Sequence, residues 1–184
     1  MPHVHLSNSL PGIVGLFTQF PATRKPLNEL AEILLRKEKG LSPAERELIA
    51  AHVSRLNECT FCSNSHLNAA LHHFGASPRL IDATRDDVTE GLQIRPVVKA
   101  LLTIAAKVQE SGRKVSTSDV ETARSLGATD AMIHDTVLIA AAFCMFNRYV
   151  DGLATFAPQD EAFYAQSGQR LAQHGYIPPV AVSE

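Results

Sequence analysis

Apolar positions recur three and four residues apart along most of this chain, the spacing of one face of an α-helix, and no segment alternates with period two between turn residues. The pattern predicts an all-α protein. Ser42, Pro43 and Glu45 read as N-cap, first-turn proline and capping-box glutamate. Leu48, Ile49, His52, Val53 and Leu56 then mark a helix face, and Asn57 and Glu58 read as a break. A second helix is expected from near Cys59 to Phe74, with Leu67, Ala70, Leu71 and Phe74 on its apolar side and Gly75 closing it. Pro26 is expected to open a helix through Leu35 that ends before Gly40, Pro78 a short helical turn ending near Asp86, and Pro96 a helix with Val97, Val98, Leu101, Leu102 and Ala105 as its buried stripe, ended by Gly112. Residues 116–126 predict an amphipathic helix closed by Gly127, and Thr129 starts a longer one carrying Met132, Ile133, Val137, Ala140 and Phe143. A last helix is expected over 160–174, before Gly175, and Pro178 and Pro179 suggest a loose tail.

Composition narrows the function classes. A chain of 184 residues, 45% hydrophobic and 20% charged, fits a single domain spanning 1–184. That length buries about 70% of the unfolded surface without disulfide staples. A net charge of -2 with no charged tail gives no general basic surface for nucleic acid. Residues 1–20 lack a basic start, and Pro11 and Gly12 interrupt their apolar stretch, so they do not read as a signal peptide. The most apolar run, 136–147, lies between Asp135 and Arg148 and is shorter than the roughly 18 residues a membrane span needs. A soluble, cytoplasmic protein with no membrane partner is expected. Three cysteines are too few for a disulfide framework and fit a reducing compartment.

Two of those cysteines carry the candidate chemistry. Cys59 and Cys62 form a C-x-x-C, and His66 follows four residues later, so all three share one helix face. Residues three apart on a helix have Cβ atoms roughly 5–6 Å apart, whereas a disulfide wants about 3.8 Å. The pair can close with a small distortion of the first turn, and a strained disulfide is easily reduced. The reactive species must be a thiolate. The helix dipole favours Cys59 as the more acidic thiol, whereas an imidazole one turn away favours Cys62. Glu47 on the preceding helix would orient or discharge His66 if the two helices pack antiparallel, with Glu45 and Glu58 as rivals on chemistry alone. Zinc held by Cys59, Cys62 and His66 would need a fourth ligand from Cys144, His134 or His72. Haem attachment fails because Ser63 follows Cys62, and thioredoxin-like chemistry lacks its βαβ context. Two inert buried cysteines are the bland alternative. His72 and His73 read as solvated or capping residues, Cys144 as core, and His52 as a core histidine or a lining of the cysteine site.

The spacing Glu47, eleven residues, Cys59, two residues, Cys62, three residues, His66 resembles the signature of the alkylhydroperoxidase D group of the carboxymuconolactone decarboxylase-like superfamily. Arg46-Glu47-Leu48, the run 53–57 and the run 66–71 strengthen the resemblance. Residues 147–152 are similar to the Asn-Arg-x-x-Asp segment of its peroxidase-related branch. The resemblance covers roughly 26–156. It implies an all-α helical bundle with the redox C-x-x-C at the start of a helix, and a homo-oligomer, often a trimer or hexamer. It further implies reduction of alkyl hydroperoxides by a cysteine pair, with electrons from an external dithiol or lipoyl-type reductant and with no cofactor or metal. Carried over, Cys62 attacks the peroxide, Cys59 resolves, and His66 with Glu47 relays protons. Alkylhydroperoxidase D itself has a second histidine between the cysteines, where this chain has Phe61. Rival readings are a decarboxylase or lactone-handling enzyme of the same superfamily, whose members lack the cysteine pair, a redox-sensing or zinc-binding oligomer, and a general disulfide reductase or redox-regulated holdase. Arg148 is expected to pair with Asp151 near a helix end.

Overall fold

The computed structural model describes residues 1–75 and 92–177, and the expected turn at Pro78 and tail at Pro178 lie outside them. Among the described residues the chain is all-α with no strand. The helices are α1 (Gly12–Gln19), α2 (Pro21–Arg36), α3 (Pro43–Leu56), α4 (Thr60–Phe74), α5 (Pro96–Glu110), α6 (Thr117–Ser125), α7 (Asp130–Gly152) and α8 (Glu161–His174), with a 3-10 turn at Gly112–Lys114.

The boundaries follow local chemistry. Ser42 caps α3 in a reciprocal capping box with Glu45, and Pro43 takes the first-turn place where its missing N–H costs nothing. Ser116 and Asp119 form the same box at α6. Thr129 and Asp160 cap α7 and α8. Two features depart from the sequence pattern. The helix expected to open at Pro26 opens at Pro21, and Pro26 lies inside it; two prolines five residues apart both fit because the second forfeits one hydrogen bond in the second turn. The segment before it, interrupted by Pro11 and Gly12, contains α1, which the pattern did not predict.

α3 and α4 form an antiparallel hairpin across a three-residue connection, and α3 runs through the centre, packed against α2, α4, α5 and α7. Every residue over 44–51 is buried, so α3 has no solvent face in this stretch, and the single face read from its sequence is too narrow. Leu48, Ile49, Val53, Leu71, Val98, Leu101, Ile104, Ile139 and Phe143 fill the main core. At roughly 25 cal/mol per Å² of apolar surface, such burial is the main stabilising term. α7 is long enough to cross a membrane, with mean hydropathy 1.2 over its most apolar window, which corrects the expectation that nothing is long enough. Half of that window is buried inside the protein. Asp135 and Asn147 on α7 hydrogen-bond α3 and the turn after it, which is the behaviour of a core helix.

The polar residues buried in this core are paired. Arg46, fully buried, donates to the carbonyls of Leu41, Leu34 and Lys39 at 3.1, 2.9 and 3.0 Å and to Asp135 Oδ2 at 2.6 Å. Among the described residues no buried side-chain nitrogen or oxygen lacks a hydrogen-bond partner, as desolvated polar groups require.

Candidate active site

The turn from α3 to α4 sets the position of the cysteines. Glu58 takes a left-handed φ of 60°, a conformation that costs a non-glycine residue about 1–2 kcal/mol. It is held from both sides. The Glu58 and Cys59 N–H groups donate back to the Arg55 and Ser54 carbonyls at 2.8 and 2.9 Å. The Asn57 side chain donates to Asn147 Oδ1 at 2.9 Å and accepts from Gln109 Nε2 at 2.9 Å. Asn147 in turn donates to Ser54 Oγ at 3.0 Å. The first residue of the Asn-Arg-x-x-Asp segment is thus a strut that reaches from α7 to the turn carrying Cys59. Arg148 donates to the Cys144 carbonyl at 2.9 Å and, contrary to expectation, forms no ion pair with Asp151.

Cys59 is the N-cap residue of α4 and Cys62 lies in its first turn. Both are free thiols, 0% and 5% exposed, in a small cluster with Phe61, Val150 and Tyr164. Cys59 makes no capping bond to the backbone. Its thiol is pushed far above the ordinary cysteine range, first by its hydrogen bond to Cys62, then by burial and by the charge at Cys62. The helix dipole therefore does not make Cys59 the acidic partner. Cys59 keeps its proton and donates it in a hydrogen bond to the neighbouring sulfur, and this outweighs a dipole worth a fraction of a kcal/mol to about 2 kcal/mol.

His66 sits one turn beyond Cys62 on α4, and its Nδ1 lies 2.8 Å from Glu47 Oε2 on α3. Glu47 is fully buried. A carboxylate only accepts, so Nδ1 carries the proton and Nε2 is left as the basic nitrogen. The ring is wedged between Phe143, edge-on at 4.6 Å, and Tyr176, whose plane is 14° from its own at 6.0 Å. Glu47 is the one of the three candidate acids that meets the histidine. Glu45 binds Arg95 through both oxygens at 2.7 and 2.8 Å and caps Ser42, and Glu58 is exposed on the turn.

The remaining candidates lie elsewhere. His72 is exposed, and His73 is 3.4 Å from Arg36, with burial pushing its imidazole toward the neutral form. His134 is exposed beside Asp135. His52 is half-buried. Cys144 is half-buried rather than full core, and Asn57 Nδ2 lies 3.6 Å from its sulfur. Among the described residues no three His, Cys, Asp or Glu side chains converge as a metal site.

Tyr176 was invisible to sequence reasoning. Its hydroxyl donates to Glu47 Oε1 at 2.5 Å and stands 3.3 Å from His66 Nδ1. The signal available was an aromatic directly after the glycine that ends α8, which predicts a turn back onto the fold but not the helix it meets.

Two clefts flank the start of α4. One, of about 460 Å³, is lined by Cys59, Arg55, Glu58, Asn64 and Tyr164. The other, of about 540 Å³, is lined mainly by apolar side chains, among them Ile13, Phe17, Phe61 and Phe163, and has His66 and Tyr176 in its wall.

Comparison with known proteins adds to this geometry. Residues 21–90 match the model of the carboxymuconolactone decarboxylase family. A crystal structure from Ralstonia eutropha JMP134, described as an alkylhydroperoxidase AhpD core and an uncharacterized peroxidase-related protein, superposes with a TM-score of 0.72 at 25% identity. The match covers 87% of this chain and 82% of that one. An uncharacterized peroxidase-related protein from Silicibacter sp. TM1040 gives a TM-score of 0.71 at 25% identity, over 84% of this chain and 78% of the other. No curated protein matches.

Proposed function

We propose that this chain is a thiol-dependent peroxidase of the carboxymuconolactone decarboxylase-like superfamily, with an alkylhydroperoxidase D-like fold on the peroxidase-related branch, a reading supported by the family match over 21–90 and by the two similar structures. The observation that carries the reading is the pair of buried Glu47 and half-buried His66, 2.8 Å apart, one helical turn from a C-x-x-C whose upstream thiol donates to its partner. An imidazole oriented by a buried acid beside a thiol is the arrangement that activates a sulfur nucleophile.

Cys62 acts as the nucleophile and Cys59 as the resolving thiol. His66 Nε2 takes the Cys62 proton, and the thiolate attacks the terminal peroxide oxygen. The O–O bond breaks, the alkoxide takes the proton from His66 and leaves as an alcohol, and Cys62 becomes a sulfenic acid. Cys59 then attacks that sulfur, its thiol proton leaves with the hydroxyl as water, and the Cys59–Cys62 disulfide forms. An external dithiol, of lipoyl type in the resemblance, reduces the disulfide and is itself oxidised. The sum is hydroperoxide plus dithiol giving alcohol, water and disulfide. The apolar cleft at Phe61 and His66 suits an organic hydroperoxide, and the cleft at Cys59 gives a dithiol its own approach. Regeneration needs a reducing compartment, which favours the cytoplasm. Exposed Val14, Ile33, Leu138 and Met145 favour a homo-oligomer, which light scattering of the purified protein would count.

The test is peroxide consumption with a dithiol donor by wild type, Cys62→Ser, Cys59→Ser and His66→Ala. All three variants are expected to lose turnover. A sulfenic acid is expected to be trapped in Cys59→Ser and not in Cys62→Ser. Equal rates in the four proteins would overturn the proposal.

A further inference from the structure

α8 ends at Gly175, whose N–H donates to the Leu171 carbonyl at 2.9 Å, and the chain then turns sharply inward. Gly175 has φ 71° and ψ -159°, a conformation open to glycine. A Cβ there would lie 2.4 Å from Glu32 Oε2 on α2. That close approach lets the Tyr176 N–H donate to the same Glu32 oxygen at 2.7 Å. Glu32 is in turn 4.0 Å from Arg36, which donates to the Ala172 carbonyl on α8 at 2.5 Å. Tyr176 is therefore fixed at its backbone by α2, at its hydroxyl by Glu47 of α3, and at its ring by His66 of α4. A residue needed only to fill space would not be held at three points, with its one polar side-chain atom on the carboxylate of the proposed relay.

We propose that Tyr176 is the positioning residue of the Glu47–His66 relay: its hydroxyl fixes the carboxylate so that His66 carries its proton on Nδ1 and keeps Nε2 free to act as base. The geometry gives each Glu47 oxygen one partner, His66 on Oε2 and Tyr176 on Oε1. With Oε1 occupied, the carboxylate cannot swing away from the imidazole without breaking a bond to a charged acceptor. The phenol stays protonated across the working range, because burial and then the negative charge of Glu47 hold it well above its ordinary value. The charged groups facing it are Glu47 from α3, Glu32 and Arg36 from α2, and the titratable ring of His66 from α4. His73 stands behind Arg36.

The inference rests on the peroxidase reading for its catalytic consequence and has a readout that does not. Tyr176→Phe keeps the ring and removes the hydroxyl. In protein labelled with 15N-histidine, with His66 assigned by difference from His66→Asn, wild type is expected to show a single Nδ1–H tautomer. Tyr176→Phe is expected to show a mixture. In turnover assays the variant is expected to lose about tenfold in kcat with KM for the peroxide within twofold, and the acid limb of its pH–rate profile is expected to move to higher pH. An unchanged tautomer together with an unchanged profile would reduce Tyr176 to packing and overturn the inference. If wild type consumes no peroxide, the peroxidase reading falls, and the tautomer measurement still decides the role of Tyr176.

Discussion

Replacing Asp135 by alanine tests the electrostatic anchor of the central helix. Arg46 is fully buried and spreads its guanidinium over three backbone carbonyls, but the only anionic group it touches among the described residues is the Asp135 carboxylate at 2.6 Å. Carbonyl dipoles solvate a cation without neutralising it. Removing the carboxylate leaves a desolvated charge without a counter-ion, which costs about 3–5 kcal/mol. For a chain of this size each kcal/mol moves the melting temperature by about 2–4 °C, so a fall of about 6–20 °C is expected at pH 7. The pH dependence follows from the direction of the Asp135 shift. Burial pushes its carboxyl up, but the hydrogen bonds from Arg46 and His134 and the charge of Arg46 outweigh burial and hold it below the usual value. A group depressed in the folded state contributes above its unfolded value, about 3.9, and loses that contribution as pH falls through the folded value. The gap between wild type and Asp135→Ala should therefore be full at neutral pH and should close below about pH 4. Thermal melts followed by circular dichroism across this range read both quantities. A gap under 1 kcal/mol at pH 7, or one that widens in acid, would refute the reasoning.

Other variants probe the site itself. Glu47→Gln keeps the shape of the side chain and removes the relay charge, so peroxide turnover in a coupled dithiol assay should fall by about 10²–10⁴-fold. Asn147→Ala strips partners from Asn57 and Ser54. It should destabilise by about 1–3 kcal/mol in denaturant titration and slow Cys59–Cys62 disulfide formation after one equivalent of peroxide. Gly168→Ala places a Cβ 2.5 Å from Asn68 Cβ and 2.6 Å from its carbonyl carbon, where α8 crosses α4. It should cost about 1–3 kcal/mol through overpacking and speed alkylation of the buried cysteines, read by mass spectrometry.

Local chemistry made most of the helices legible. Ser42, Ser116, Thr129 and Asp160 announce helix starts because a short polar side chain satisfies an N–H the helix leaves open, and Gly75 announces an end. The C-x-x-C and its histidine were legible for the same reason: their spacing is a property of one helix. What was not legible is non-local. The sequence pattern could not show that α3 is buried on all sides over 44–51, because Glu45 and Arg46 meet their partners, Arg95 and Asp135, only in segments 50 and 89 residues away. Pro26 misled because a proline usually marks a helix start, and Pro21 already held that place. Tyr176 lies 129 residues beyond the carboxylate it binds, and no local rule reaches that far.

That separation bears on the order in which the site is assembled. Glu47 and His66 are 19 residues apart, within one helical hairpin, and contacts this local form early because little chain must be closed to make them. The Tyr176 contact waits for every intervening helix. A nascent or proteolytically trimmed chain lacking the segment after α8 would already hold the cysteines and the imidazole–carboxylate pair, but with the carboxylate loose. On the proposed peroxidase reading, the site is complete only when Tyr176, 129 residues away in sequence, reaches Glu47.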